Sequence, residues 1–218
     1  MLFSEYDLNN FFDKDDYDIF SIGEVSLPTG EIVICDIINN LGIKDNMIRP
    51  FINKVDPGDY NIMISVGRDE TCKDKYVAVK IEFNKVFPVK YEIAIKYGDV
   101  LKDLKPGQKY GFNVDSGLIC VCDKQVENLY ENQLNDWDER DKNKDILSDY
   151  FLFHLKENSK KNPKYSFDDY KWMMWKFPDT QFKIPVIASA FDKGFYSCYW
   201  GLDKNDDVCN LVIQFLSV

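Results

Sequence analysis

The stretch from Gly194 to Phe215 constrains the fold more than any other in the chain. Under the two-residue period of a strand, Tyr196, Cys198, Trp200 and Leu202 fall on one face. Phe195, Ser197, Tyr199 and Gly201 fall on the other, so aromatic side chains leave both sides. The polar run Asp203 to Asp207 can continue neither face and predicts a turn, after which Cys209, Leu211, Ile213 and Phe215 alternate again. Such a hairpin must be covered on both faces, which predicts a β-rich protein built around it.

The remaining chain supplies the covering layers. Residues 1–22 mix apolar and acidic positions and predict a short helix followed by a loop. Leu27-Pro28-Thr29-Gly30 is a turn signal, and Ile32 to Ile38 follows as a strand apolar on both faces, with Asp36 near its end. Asp56-Pro57-Gly58-Asp59 launches a strand with Tyr60, Ile62, Ile64 and Val66 on one face. Two clear alternations, Val77 to Phe83 and Val89 to Tyr97, are joined by a short connection and predict an antiparallel hairpin. A second hairpin is expected from Tyr110, Phe112 and Val114 through Asp115-Ser116-Gly117 to Leu118, Cys120 and Cys122.

From Lys124 the period becomes helical, and Ser166 with Asp169 reads as the start of a last helix carrying Trp172, Met173 and Trp175. Those apolar residues cannot all face inward from one helix, so part of that surface is expected to be exposed or covered by another chain. Phe182 to Ala190 resumes the sheet, Pro185 favouring an edge position. The fold class expected is α+β, mainly antiparallel β (sandwich-like or strongly curved sheets), with a helical insertion near 124–176, and residues 1–218 form one domain.

Composition narrows the chemistry. The 37 acidic against 27 basic residues give a formal charge of -10, which argues against direct nucleic-acid binding and favours a basic protein partner. No apolar run is long enough to span a bilayer, and the first residues lack a secretory signal, so cytoplasmic residence and thiol cysteines are expected. Cys35, Cys72, Cys120, Cys122, Cys198 and Cys209 have no zinc-ribbon spacing. The single histidine, His154, allows no all-histidine metal site, and neither a phosphate loop nor a nucleophile elbow occurs. Asp203-x-Asn205-x-Asp207 imitates the first ligands of a calcium loop, but Val208 and Gln214 stand where Gly and Glu are needed, so a solvated hairpin tip is the better reading. The remaining metal or acid-base candidate is a gathering of Asp36, Asp115, Asp123 and Asp192 at strand ends and turns.

Several segments in one order carry a resemblance. They are Leu27 to Val33 with Cys35-Asp36, Pro50-Phe51 to Val66, Tyr110 to Gly117 with Cys122-Asp123, and Gly194-Phe195-Tyr196 with Tyr199 to Asp203. Together they resemble the bacterial domain-of-unknown-function 4241 family over most of the chain. The chain departs from that pattern at Phe191-Asp192-Lys193-Gly194, where the family tends to a Gly-Asp-Gly turn, and in its long polar helical segment. The resemblance implies a bacterial β-rich domain without a settled activity.

With no catalytic signature and no cofactor motif, the expectation is a non-enzymatic interaction protein, most concretely an immunity protein that binds a cognate basic toxin domain. The contact surface expected is Glu127, Glu131, Asp136, Asp138, Glu139 and Asp141, with Trp172 and Trp175. Neither nucleic acid nor membrane is an expected partner, and a homodimer is left open. The alternative is a metal-dependent hydrolase or small-ligand-binding protein using Asp36, Asp115, Asp123 and Asp192.

Overall fold

The computed structural model describes residues 8–43, 48–68, 70, 72–100, 109–163, 171–191 and 193–216. Eleven strands among them form two antiparallel sheets, and helices cover one face of the smaller sheet. The α+β class, mainly antiparallel, is what the alternations predicted.

The Gly194 to Phe215 hairpin is β10 (Gly194–Leu202) paired with β11 (Val208–Gln214), and it lies inside the seven-stranded sheet. Tyr196, Cys198, Trp200, Leu202, Leu211 and Ile213 point into the core between the sheets. Tyr199 and Val212 point the other way, into a smaller cluster with Leu8 and Phe11. Both faces are covered from Tyr196 to Leu202, whereas Phe195 at the start of the strand is 46% exposed. The tip is the solvated turn expected, since Asp203 Oδ1 accepts from the backbone of Asn205 and Asp207.

Around this hairpin the sheet order is β1 (Tyr17–Leu27), β3 (Gly58–Gly67), β4 (Tyr76–Glu82), β11, β10, β5 (Lys90–Ile93), with β6 (Phe112–Val114) also pairing β10. The smaller sheet runs β2 (Ile32–Asp36), β7 (Leu118–Asp123), β9 (Lys183–Ala188), β8 (Trp172–Lys176). Its side chains divide by parity. Ile32, Ile34, Ile119, Val121 and Ile187 face the large sheet, while Val33, Cys35, Cys120, Cys122 and Val186 face the helices. A sheet sandwiched between two cores needs apolar residues at every position, which is why β2 and β7 are buried from end to end.

The helical layer consists of α1 (Val126–Arg140), a π-helical turn (Ile146–Leu152) and α2 (Phe153–Lys161). Asp145 starts the π-helical turn reciprocally: its carboxylate accepts from Ser148 N while its own N–H donates to Asp149. This satisfies end groups that a helix start otherwise leaves unpaired.

Several expectations are corrected. Residues 1–7 of the expected N-terminal helix lie outside the described residues; what is described of it is a 3-10 turn, Asn10–Phe12, and the expected loop is most of β1. β4 and β5 form no hairpin; β4 pairs β3 and β11, β5 pairs β10, and two strands lie between them. The second predicted hairpin is split between sheets, because β6 pairs β10 while β7 pairs β2 and β9. The last predicted helix is the strand β8 from Trp172 onward, and its supposed start at Ser166 lies outside the described residues. Pro185 lies in an inner strand. Phe177 N donates to Phe182 O and Ala188 N to Lys171 O, so even-numbered positions of β9 bond toward β8. Odd-numbered Pro185 therefore turns toward β7, beyond Cys120↔Val186, where that pairing stops and no ladder donor is needed.

Candidate functional site

The buried carboxylates are the first place to look for chemistry. Asp36 ends β2 and is 1% exposed. Its Oδ1 accepts from Ile38 N, Asn39 N and Ser116 Oγ, and its Oδ2 from Asn39 Nδ2, Asp115 N and Ser116 N. Burial alone raises the pKa of this group, but the donors from Ser116 and Asn39 outweigh it and hold the carboxyl below its ordinary value. The residues it grips form the turn at which the chain leaves β6 in the large sheet and enters β7 in the small one. Asp36 is the clasp of that crossing.

Asp123, at the end of β7, is fully buried and accepts from Thr29 N, Thr29 Oγ1 and Gln125 N. It ties the turn before β2 to the start of α1. The register Ile32↔Asp123 and Asp36↔Ile119 puts the two aspartates at opposite ends of one strand pair. Four residues at about 3.3 Å each separate them by about 13 Å, too far to share a metal. Asp115 is brought to Asp36 by its backbone, but its side chain is exposed. Asp192 lies outside the described residues. Among the described residues no group of three or more His, Cys, Asp or Glu side chains is arranged to hold a metal.

Three thiols meet behind β2 and β7. Cys35 and Cys120 face each other with their sulfurs 3.7 Å apart, and Cys122 lies on the same face. The hydrogen bonds of Cys120 with Cys122 and Cys35, and then burial, push its thiol well above the ordinary value. A thiol held neutral in this way is a poor nucleophile and a poor ligand.

The acidic helical surface carries groups of differing exposure. Glu127 accepts from Ile48 N and pairs with Lys124, which bonds Ile48 O. Asp141 is held by Lys144 at 2.7 Å. Asp136 and Glu139 are exposed on α1, Glu131 is half-buried, and the side chain of Asp138 lies outside the description. Trp172 and Trp175 are not on this surface at all. Trp172 packs on Phe20 between the sheets, and Trp175 packs on Tyr130 and Phe151 beneath the helices. Alternation in a strand sends them to different cores, so the excess of apolar residues that implied an exposed helix face is absorbed on two sides.

What the helices do present is an aromatic row. Trp137 meets Tyr150 at 5.4 Å, Tyr150 meets His154 at 4.6 Å, and His154 meets Phe153 at 5.4 Å. Phe153 is 56% exposed. Tyr150 and His154 are four residues apart, a regular helical spacing; what the spacing does not show is that Trp137 of α1 meets Tyr150 across the helical layer.

On the opposite face of the molecule, Lys80 and Glu82 of β4 and Asn210 of β11 floor a recess of about 80 Å³, walled by the 84–88 loop and by Asn9 and Phe12. Glu82 and Asn210 are register partners, and Lys80 pairs with Glu82 at 3.0 Å.

A family model described as a protein of unknown function, DUF4241, matches residues 25–213. No curated protein and no solved structure matches the chain.

Proposed function

The chain belongs to the DUF4241 family of unknown function, and from its surface we propose that it is a non-enzymatic protein-binding module, most concretely a bacterial immunity protein that neutralises a cognate toxin in the cytoplasm. The observation that carries this reading is the outer side of the helical layer. There Asp136 and Glu139 stand exposed on α1 beside the row that ends in Phe153. Exposed acids steer a basic partner and set its orientation, while partly exposed aromatics supply the apolar contact that holds it. The overall charge of -10 adds to the steering. No helix among the described residues is long and apolar enough to cross a membrane.

The hydrolase or ligand-binding alternative has less support, because two of the four carboxylates it needs are occupied and a third, Asp115, is exposed. Asp36 and Asp123 spend their oxygens on the protein's own donors, at opposite ends of a strand pair.

The test is to use the chain as bait in lysate of its host at low and raised salt, identify a stoichiometric basic partner, and express that partner with and without the chain. Growth rescued by the chain, and lost with Asp136→Lys and Glu139→Lys together, is the expected result. A partner whose toxicity the chain does not relieve overturns the immunity reading, and unchanged affinity of the double variant overturns the placement.

A further inference from the structure

The outer side of the helical layer holds a cation of the chain's own, and the way it is held marks where a partner's cation fits. α1 ends at Arg140 and the chain turns back at once: Asp141 N donates to Trp137 O, and Lys144 N donates to Asp141 O. The turn brings Lys144 onto two earlier groups. Its Nζ lies 2.7 Å from Asp141 Oδ1 and 6.0 Å from the centroid of the Trp137 ring. One ammonium therefore meets a carboxylate and an aromatic face together, so the two flank a single position of cation size.

The platform and its occupant are held unequally. Trp137 makes a T-shaped contact with Tyr150 at 5.4 Å, and Tyr150 OH accepts from Trp175 Nε1 at 3.1 Å, which ties the ring to the core beneath the helices. Lys144, in contrast, has a side chain that is 56% exposed, and an ion pair at such exposure adds little stability. It is displaced without disturbing the fold.

We propose that Trp137 and Asp141 receive an arginine side chain of the protein partner, and that Lys144 occupies their position in the free chain as an internal competitor. The assignment rests on the reading of this side as the surface that meets a basic protein. Arginine suits the position better than lysine does. Its planar guanidinium stacks on an aromatic face and is more weakly hydrated than an ammonium, and its fork offers a carboxylate two parallel N–H donors. The surroundings draw such a cation in, because residues 136–145 carry five acids against three bases. Of those bases, Arg140 is turned back along α1, its Nε donating to Asp136 O.

The probe is N-acetyl-argininamide, with N-acetyl-citrullinamide, its uncharged isostere, as the control. Titrated into the isotope-labelled full chain, the arginine amide is expected to give saturable shifts of the Trp137 indole N–H and of the backbone from 136 to 145, and the citrulline amide is not. Lys144→Gln removes the competitor from an exposed position and tightens binding about three-fold or more. Adding Asp141→Asn to Lys144→Gln reads the carboxylate without the competitor, and weakens binding about five-fold or more relative to Lys144→Gln alone. Absence of a saturable shift at Trp137, equal binding of the citrulline amide, unchanged or weaker binding by Lys144→Gln, or undiminished binding by the double variant overturns the inference. These outcomes are read without the partner, so they stand apart from the growth test of the immunity reading.

Discussion

Replacing Asp36 with asparagine tests whether this carboxylate is structural. The two side chains have the same shape, but one oxygen becomes an NH₂ group, which then faces three donors instead of accepting from them. Hydrogen bonds to a charged group contribute about 1.5–3 kcal/mol each, and the three are not additive because Asp115 and Ser116 share one turn. A loss of at least about 3 kcal/mol is the expectation, which for a chain of this size lowers Tm by about 6 °C or more. Thermal and urea unfolding followed by circular dichroism measure it. Dependence on pH separates the charge from the shape. The folded-state pKa of Asp36 lies below its ordinary 3.8, so its stabilisation is complete above that value and is lost as pH falls through the folded-state value. The gap in stability between parent and Asp36→Asn is therefore constant near neutrality and closes below about pH 3.8. A drop in Tm under about 3 °C, or a gap that does not change with acid, would refute the clasp.

Three further outcomes follow from the same geometry. Gly30→Ala places a Cβ 1.9 Å from the Val55 carbonyl oxygen at φ +70°, so a loss of about 2–4 kcal/mol is expected by urea unfolding. Trp175→Ala empties a site packed by Tyr130, Phe151 and Phe177, and costs about 3–5 kcal/mol of stability by the same assay. All six cysteines are buried free thiols, and burial pushes Cys198 up to about 12. Ellman's reagent at pH 8 should therefore react slowly with the native chain and with all six thiols once it is unfolded; prompt native reaction would contradict that burial.

Element type was legible wherever period and turn chemistry agreed. Pairing was not. Val77 to Phe83 reads correctly as strand-forming and Val89 to Tyr97 only over Lys90–Ile93; their short connection suggested a hairpin, yet β10 and β11 lie between β4 and β5. Both edges of β4 are taken by strands distant in sequence, and no local signal encodes that competition. The Trp172 to Trp175 stretch failed differently. Consecutive apolar residues suit either a buried helix or a strand between two cores, and only the presence of helices above and a sheet below decides between them.

The candidate sites divide along the same line. Asp36 stood out in the sequence as one acid in an apolar strand, and its alternatives, a capping role or a place in a site, could not be separated there. The structure resolves this through Ser116 and Asp115, almost eighty residues away, whose donors reach it only because the chain changes sheets at that turn.

By itself the sequence determined the buried hairpin, the β-rich class, the helical insertion from Lys124 and the acidic surface, because alternation, turn residues and charge are local properties. Tertiary structure alone decided which strands meet, which acids remain free and which apolar side chains stay outside. Those depend on contacts between segments far apart in the chain, and there burial and donor geometry outweigh local preference.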